Sequence, residues 1–310
     1  MTIERTRVMV RQKPWGVADL GPWCGLDHDS GPIGEISYER ADAAAPATSL
    51  LLKLLFTSAP LSIQVHPDDV YAKSIDLPNG KSEAWYVLDA APGARVALGL
   101  TRSVTRDQLR RAIADGSIEQ LVRWQTVEKH EAISVPAGTV HAIGAGLVIA
   151  EIQQRSDATF RLFDYGRNRL LHIDDGASAA HLGAPAIQIA PRQLSEERLL
   201  LVSNAHFVFE RIQLTPGSHW SLDAAGETWL LAVNGDARVG PFGLTQGRGV
   251  FAQAAHIDIR AGRGGVCCLV AYAAGEPDPR LLHRMALAST QNVWILGDEP
   301  AQAQTCGMSP

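Results

Sequence analysis

Short apolar runs separated by glycine- and proline-containing turns cover most of this 310-residue chain, the pattern of a mainly β protein. In the first half the runs fall at 33–38, 50–56, 61–65, 83–89, 95–98, 131–135 and 147–154. The run 50–56, LLLKLLF, is apolar at successive positions, as a strand buried on both faces is. Between about 105 and 124 the pattern becomes helical. Thr105 with Gln108, and Ser117 with Gln120, have capping-box spacing, and Asp115-Gly116 between them is a stop signal. Two short helices are predicted there, beside the mouth of the barrel that the strands form.

From about 199 a second β-rich series follows: LLLVSNAHFVFERIQL, TWLLAVNG, DARVG and GVCCLVAYA, with turns at Thr215-Pro-Gly, Asn234-Gly-Asp and 261–265. The stretch 176–198, rich in Ala, Gly and Pro, reads as a linker. The expected organisation is two β-sandwiches. The first, residues 1–185, carries the helical insertion; the second occupies 186–275, and 276–310 form a tail. His206, His219 and His256 lack a carboxylate at the spacing found upstream, so the second sandwich is expected to hold no metal.

Size does not limit the core, and 46% hydrophobic with 20% charged residues is an ordinary globular composition. A formal charge of -5 and a pI near 6.1 argue against a general nucleic-acid binder. They leave room for an anionic small molecule, since a pocket arginine outweighs a diffuse negative balance at short range. The four cysteines form no C-x-x-C pair and read as reduced thiols. The first residues lack a signal-peptide core, and no apolar run is long enough to span a bilayer. A cytoplasmic protein without membrane or nucleic-acid partners is expected, as a monomer or small homo-oligomer.

The chemistry begins at Gln64-Val65-His66. Residues two apart on a strand share a face, so Gln64 and His66 point at one spot while Val65 turns away. With Glu83 and His141 they form an N/O ligand set suited to a divalent metal. Two His, one carboxylate and a weak fourth ligand (Gln64) is the pattern of an open catalytic zinc site. His66, Glu83 and His141 alone also match the facial triad of iron enzymes. The plainer alternative makes His66 a cap for a helix begun by Pro67-Asp68-Asp69, and His141 a surface histidine after the Pro136-Ala-Gly138 turn.

Lys81 lies two residues before Glu83 on the same face, within reach of a metal, and is a candidate general base whose pKa desolvation and a nearby cation would lower. A water on the metal is the rival base. Lys53 interrupts an apolar strand, so it either pairs with a carboxylate or faces a wet pocket toward an anionic substrate. Ser62 lies two before Gln64 on the same face, and Trp15 is placed to line a pocket or to pack in the core.

Five segments then carry a resemblance: KPWG (13–16), LSIQVHPDD (61–69), GKSEAWYVLDA (80–90), VPAGTVHAIG (135–144) and EIQQRSDATFRLFDYGR (151–167). They resemble the type I mannose-6-phosphate isomerases of the short bacterial kind, zinc enzymes of the cupin superfamily. The resemblance covers most of residues 10–170. It implies two cupin-like jelly-roll domains, one Zn2+ per chain on Gln64, His66, Glu83 and His141, Arg161 as the catalytic arginine, and, for a sugar phosphate, Ser62 as a phosphate contact and Trp15 as a wall for the sugar. The implied reaction interconverts mannose 6-phosphate and fructose 6-phosphate through a zinc-stabilised cis-enediol. The rival readings are another cupin metalloenzyme (a different sugar isomerase or an iron dioxygenase) and a sugar-binding cupin without chemistry.

Overall fold

The structure, a computed structural model, describes residues 1–24, 31–183 and 187–285 together with the short strand Gly307–Met308. It is mainly β. In the first half a seven-stranded sheet faces a five-stranded one. The larger sheet runs Gly307–Met308, Arg7–Val17, Ile33–Glu39, Leu50–Thr57, Leu147–Gln154, Glu83–Ala90, Ala132–Val135, antiparallel except for the pairing of Gly307–Met308. The smaller runs Phe160–Phe163, Ile63–Val65, His141–Ile143, Arg95–Leu100, Val122–Thr126. The predicted strands of this half are all present, with ends displaced by at most a few residues.

One end of the sandwich is dry. Trp15, Leu55, Trp85, Val87, Val96, Leu98, Ile143 and Ile149 pack there between the sheets, and each such burial stabilises by about 1.5–3 kcal/mol. This end fixes the spacing of the sheets, and so the separation of the side chains that meet at the other end.

The helix Arg106–Asp115 carries the predicted capping box: Thr105 Oγ accepts from Gln108 N–H at 3.2 Å while the Gln108 side chain accepts from Thr105 N–H at 2.8 Å. Gly116 stops it in the left-handed region at φ 80°. The second box does not form. Ser117 is itself helical and makes no side-chain cap, its N–H donating instead to Asp115. The turn Ile118–Leu121 then gives way to a strand at Val122.

The helices also lie elsewhere than expected. Leu109, Ile113, Ile118 and Leu121 pack on Ile63, Val65, Val140, Ala142 and Leu162, the outward-facing positions that alternate with Gln64, His141 and Arg161. They cover the back of the five-stranded sheet rather than the mouth. Thr105→Ala is expected to cost about 1 kcal/mol, measured by denaturant unfolding. An unchanged midpoint would mean that this cap contributes nothing.

The expected linker begins inside a helix, Ile173–Ala179. Its small residues permit close docking: a Cβ on Gly176 would lie 2.3 Å from Leu162 Cδ2. The second half forms one strongly bent ten-stranded sheet around its own core of Trp220, Leu222, Leu230, Val250, Ile257 and Val270.

The two halves also share a core. Ile36, Tyr38, Leu52, Leu54 and Tyr86 pack against Phe207, Phe209, Trp229 and Phe251. Thr2–Arg5, at the start of the chain, pairs with Gly249–Gln253 and so belongs to the second sheet. Glu227, also from the second half, accepts from Ser49 N–H, Ser49 Oγ–H and Leu50 N–H at 2.6–2.9 Å, pinning the start of the strand that carries Lys53. Of the predicted tail, Leu282–Arg284 pairs with His219–Ala224, while 286–306 and 309–310 lie outside the described residues. No helix of the described residues is long and apolar enough to cross a membrane.

Candidate metal centre and its pocket

Sheet register brings the predicted ligands together. His141 and Arg161 each pair with Gln64, one from either side, so the three form a row across the five-stranded sheet. His66 follows the end of the central strand, whose exit the Pro67-Asp68 turn fixes. Asp68, rather than His66, caps the short helix Asp69–Ser74. Glu83 reaches in from the opposite sheet. Ligand atoms of His66, Glu83 and His141, all buried, lie within 4.8 Å of one another. Among the described residues no other such group of His, Cys, Asp and Glu occurs. In the second half His219 simply pairs with Asp258, and His256 with Asp223 at 3.5 Å.

The donor set fits a divalent cation. His66 Nε2 is 3.2 Å from Glu83 Oε1, His141 Nε2 is 3.9 Å from Glu83 Oε2, and Gln64 Nε2 is 3.2 Å from His141 Nε2. Ligands about 2.0–2.2 Å from one centre stand about 3.3–3.6 Å apart in a tetrahedron. Each imidazole uses its other nitrogen on the backbone: His66 Nδ1 donates to Ala158 O at 2.8 Å and His141 Nδ1 to Thr139 O at 2.9 Å. Those bonds fix the tautomer with the Nε2 lone pair inward, the usual support of a metal-bound histidine.

Burial, helped by Lys81, pushes the His66 pKa down to about 3, and burial also lowers that of His141, so both rings are neutral at pH 7. Burial opposes ionisation of Glu83, but Lys81 and His66 hold its carboxyl well below the usual range. Glu83 Oε1 accepts no well-directed hydrogen bond, although charged groups crowd it.

One of those groups is Lys81, whose Nζ lies 2.6 Å from Glu83 Oε1 and 3.3 Å from His66 Nε2. A cation is already drawn to the point where the ligands converge. The expectation of a lowered lysine pKa is reversed: burial disfavours the ammonium, but Glu83 and Glu151 outweigh it and raise the pKa. Gln64 presents its amide nitrogen toward His141 while its oxygen accepts from Ser62 Oγ at 3.2 Å. To serve as a ligand the amide must turn over.

Beside this centre opens a pocket of about 220 Å³. Trp15, Lys53, Ser62, Gln64, Lys81 and Arg161 all line it, so the structure gathers the sequence-predicted residues at one place. Trp15 is both wall and core, 5% exposed. Lys53 lies 3.7 Å from Glu35 and 3.9 Å from Glu151 and also lines the pocket.

Arg161 donates from Nη1 to Leu170 O at 3.0 Å, its Nε finds no partner, and no carboxylate of the described residues lies within ion-pair distance of it. Burial, then Arg169, make its charged form less favourable. Asp164 engages Arg169 in two bonds of 2.6 and 2.7 Å, leaving Arg161 as uncommitted positive charge.

Sequence reasoning missed Glu35 and Glu151. Glu151 sits directly opposite Lys53 and Trp85, shares the indole N–H with Glu83 at 3.2 Å, and has its pKa raised to about 7 by burial and then Glu83. An acidic residue in the apolar run LVIAEIQQ was the available signal.

The fold and site together define a β-sandwich whose buried His–Glu–His group could hold a metal ion and opens into a charged pocket. No family model matches the chain. A mannose-6-phosphate isomerase of Streptococcus mutans is 36% identical over 197 residues, 59% of this chain and 62% of that protein. Mannose-6-phosphate isomerase ManA of Bacillus subtilis is 41% identical over 131 residues, 40% of this chain and 41% of that one. The sequence matches thus span less than two thirds of these curated relatives. The crystal structure of a mannose 6-phosphate isomerase from Bacillus subtilis superposes with a TM-score of 0.75 at 23% identity, over 87% of this chain and 99% of that one. The chain thus resembles mannose-6-phosphate isomerases in sequence over 40–59% of its length and shares the fold of one of them.

Proposed function

We propose that this protein interconverts mannose 6-phosphate and fructose 6-phosphate with one zinc ion per chain. The observation that carries the reading is the buried His66–Glu83–His141 group at the wall of a cation-lined pocket that also holds Arg161. Zinc on these three residues, with Gln64 as a marginal fourth ligand, would polarise the sugar carbonyl and hold developing negative charge.

The chain supplies the rest. In the aldose-to-ketose direction a base takes the proton from C2 and returns it to C1, while the proton on the C2 hydroxyl passes to the C1 oxygen. Arg161, with no carboxylate neutralising it, is placed to stabilise the enediolate between these steps. Lys81 is the proposed base. Its preference for the ammonium form rests on Glu83 and Glu151, and a divalent cation beside Glu83 would remove part of that preference. Glu151, with a pKa near 7, is the second candidate. Ser62 and Lys53 are assigned to the substrate, and Trp15 to the wall against which the sugar lies. The free thiols of Cys267 and Cys268 support a cytoplasmic site of action.

A coupled assay following fructose 6-phosphate formation from mannose 6-phosphate tests the reading. Turnover by metal-replete protein is expected. Isomerisation of a different sugar phosphate, or oxygen consumption, with mannose 6-phosphate untouched would replace it.

A further inference from the structure

One wall of the pocket is a flat face of the seven-stranded sheet that neither the metal centre nor Arg161 occupies. Alternate residues of three neighbouring strands project from it: Arg11 and Lys13, then Glu35 and Ser37, then Lys53. Register sets Arg11 directly opposite Glu35, and Ser37 directly opposite Lys53. Three cations surround one carboxylate. Glu35 lies 3.7 Å from Arg11 Nε, 3.6 Å from Lys13 Nζ and 3.7 Å from Lys53 Nζ. Burial works against the charge of Glu35, and Lys53, Lys13 and Arg11 nevertheless hold its carboxyl below the usual value.

None of these contacts is short enough to be a hydrogen bond, so the cations keep their donors for another acceptor. Ser37 adds an independent observation: it is 2% exposed, lines the pocket, and its hydroxyl has no hydrogen-bond partner among the described residues. Three cations around Glu35, with a free buried hydroxyl between them, suit a tetrahedral dianion, which accepts from several donors at once; Glu151 approaches only Lys53, at 3.9 Å, and Glu39 on the same face is engaged by Arg155.

We propose that Arg11, Lys13 and Ser37, together with Lys53, form the cradle for the phosphate of the sugar phosphate, with Glu35 as the counter-charge that keeps the cations gathered. This rests on the isomerase reading for the identity of the substrate, but not for the binding of phosphate. It places the reacting end of the sugar toward His66, Glu83, His141 and Arg161, and the anionic end against the sheet. Arg11 and Lys13 would then act on affinity, leaving the chemical step alone.

The test uses the full chain loaded with metal and two substitutions on partly exposed side chains, Arg11→Gln and Lys13→Gln, singly and combined. Calorimetry with inorganic phosphate is expected to show binding to the parent protein and a loss of about tenfold or more in the double variant, with metal content unchanged. KM for mannose 6-phosphate should rise by a similar factor while kcat stays within about twofold. Unchanged phosphate affinity would overturn the cradle, as would a fall in kcat at constant KM. If the parent protein does not turn over mannose 6-phosphate, the isomerase reading fails and the calorimetric result still decides the cradle.

Discussion

His66→Ala and His141→Ala proteins are expected to purify without their metal and to have lost isomerase activity by about three powers of ten. A bound metal supplies several kcal/mol of charge stabilisation in a transition state, and each 1.4 kcal/mol is about tenfold in rate. The two positions test different supports of one centre, since His66 leaves a strand end beside Ala158 and His141 sits inside a strand held through Thr139. Elemental analysis and turnover should fall together in both. Stoichiometric metal retained by both variants would remove these residues from the ligand set.

Arg161→Ala should leave metal content intact and lower kcat by about a hundredfold or more, the usual loss when one donor to a developing oxyanion is removed. KM should change little. The expectation follows from position: Arg161 pairs in register with Gln64, beside the candidate ligands, and its buried Nε has no hydrogen-bond partner among the described residues. A rise in KM with turnover preserved would instead make Arg161 a binding group. Parent values for both constants would make it a structural strand residue. The contrast with Arg11 and Lys13 is direct, because one arginine is expected to move kcat and the other two cations KM.

The strands and the same-face pairs of the candidate metal centre were legible in the sequence because each depends on local periodicity. Gln64 and His66 are two apart, Lys81 and Glu83 are two apart, and such pairs share a face whatever the strands beside them do. Lys53 stood out because a charge within LLLKLLF demands a partner. Cross-strand neighbours were not legible. The row Arg161–Gln64–His141 and the pairing of Lys53 with Glu151 depend on register between distant segments, which no local pattern specifies. Arg11, Lys13 and Glu35 each look like ordinary polar positions of a solvated strand face until Arg7–Val17, Ile33–Glu39 and Leu50–Thr57 are placed side by side.

The helices show the same division. Thr105 and Gln108 cap as their spacing indicates, because a capping box is local. The face on which the helices dock was set by the apolar outer side of the five-stranded sheet, and the helix Ile173–Ala179 formed within an Ala- and Gly-rich stretch because Leu162 offers a surface that only a small residue can approach.

The most direct test of a single catalytic metal centre is reconstitution. The apoprotein, stripped by chelator, is titrated with zinc while fructose 6-phosphate formation from mannose 6-phosphate is followed. Activity absent at the start, rising linearly and saturating at one equivalent of zinc per chain, is the predicted result. Full activity in metal-free protein, or activity that never returns on adding zinc to a correctly folded chain, would contradict the assignment of His66, Glu83 and His141 as the centre on which the reaction depends.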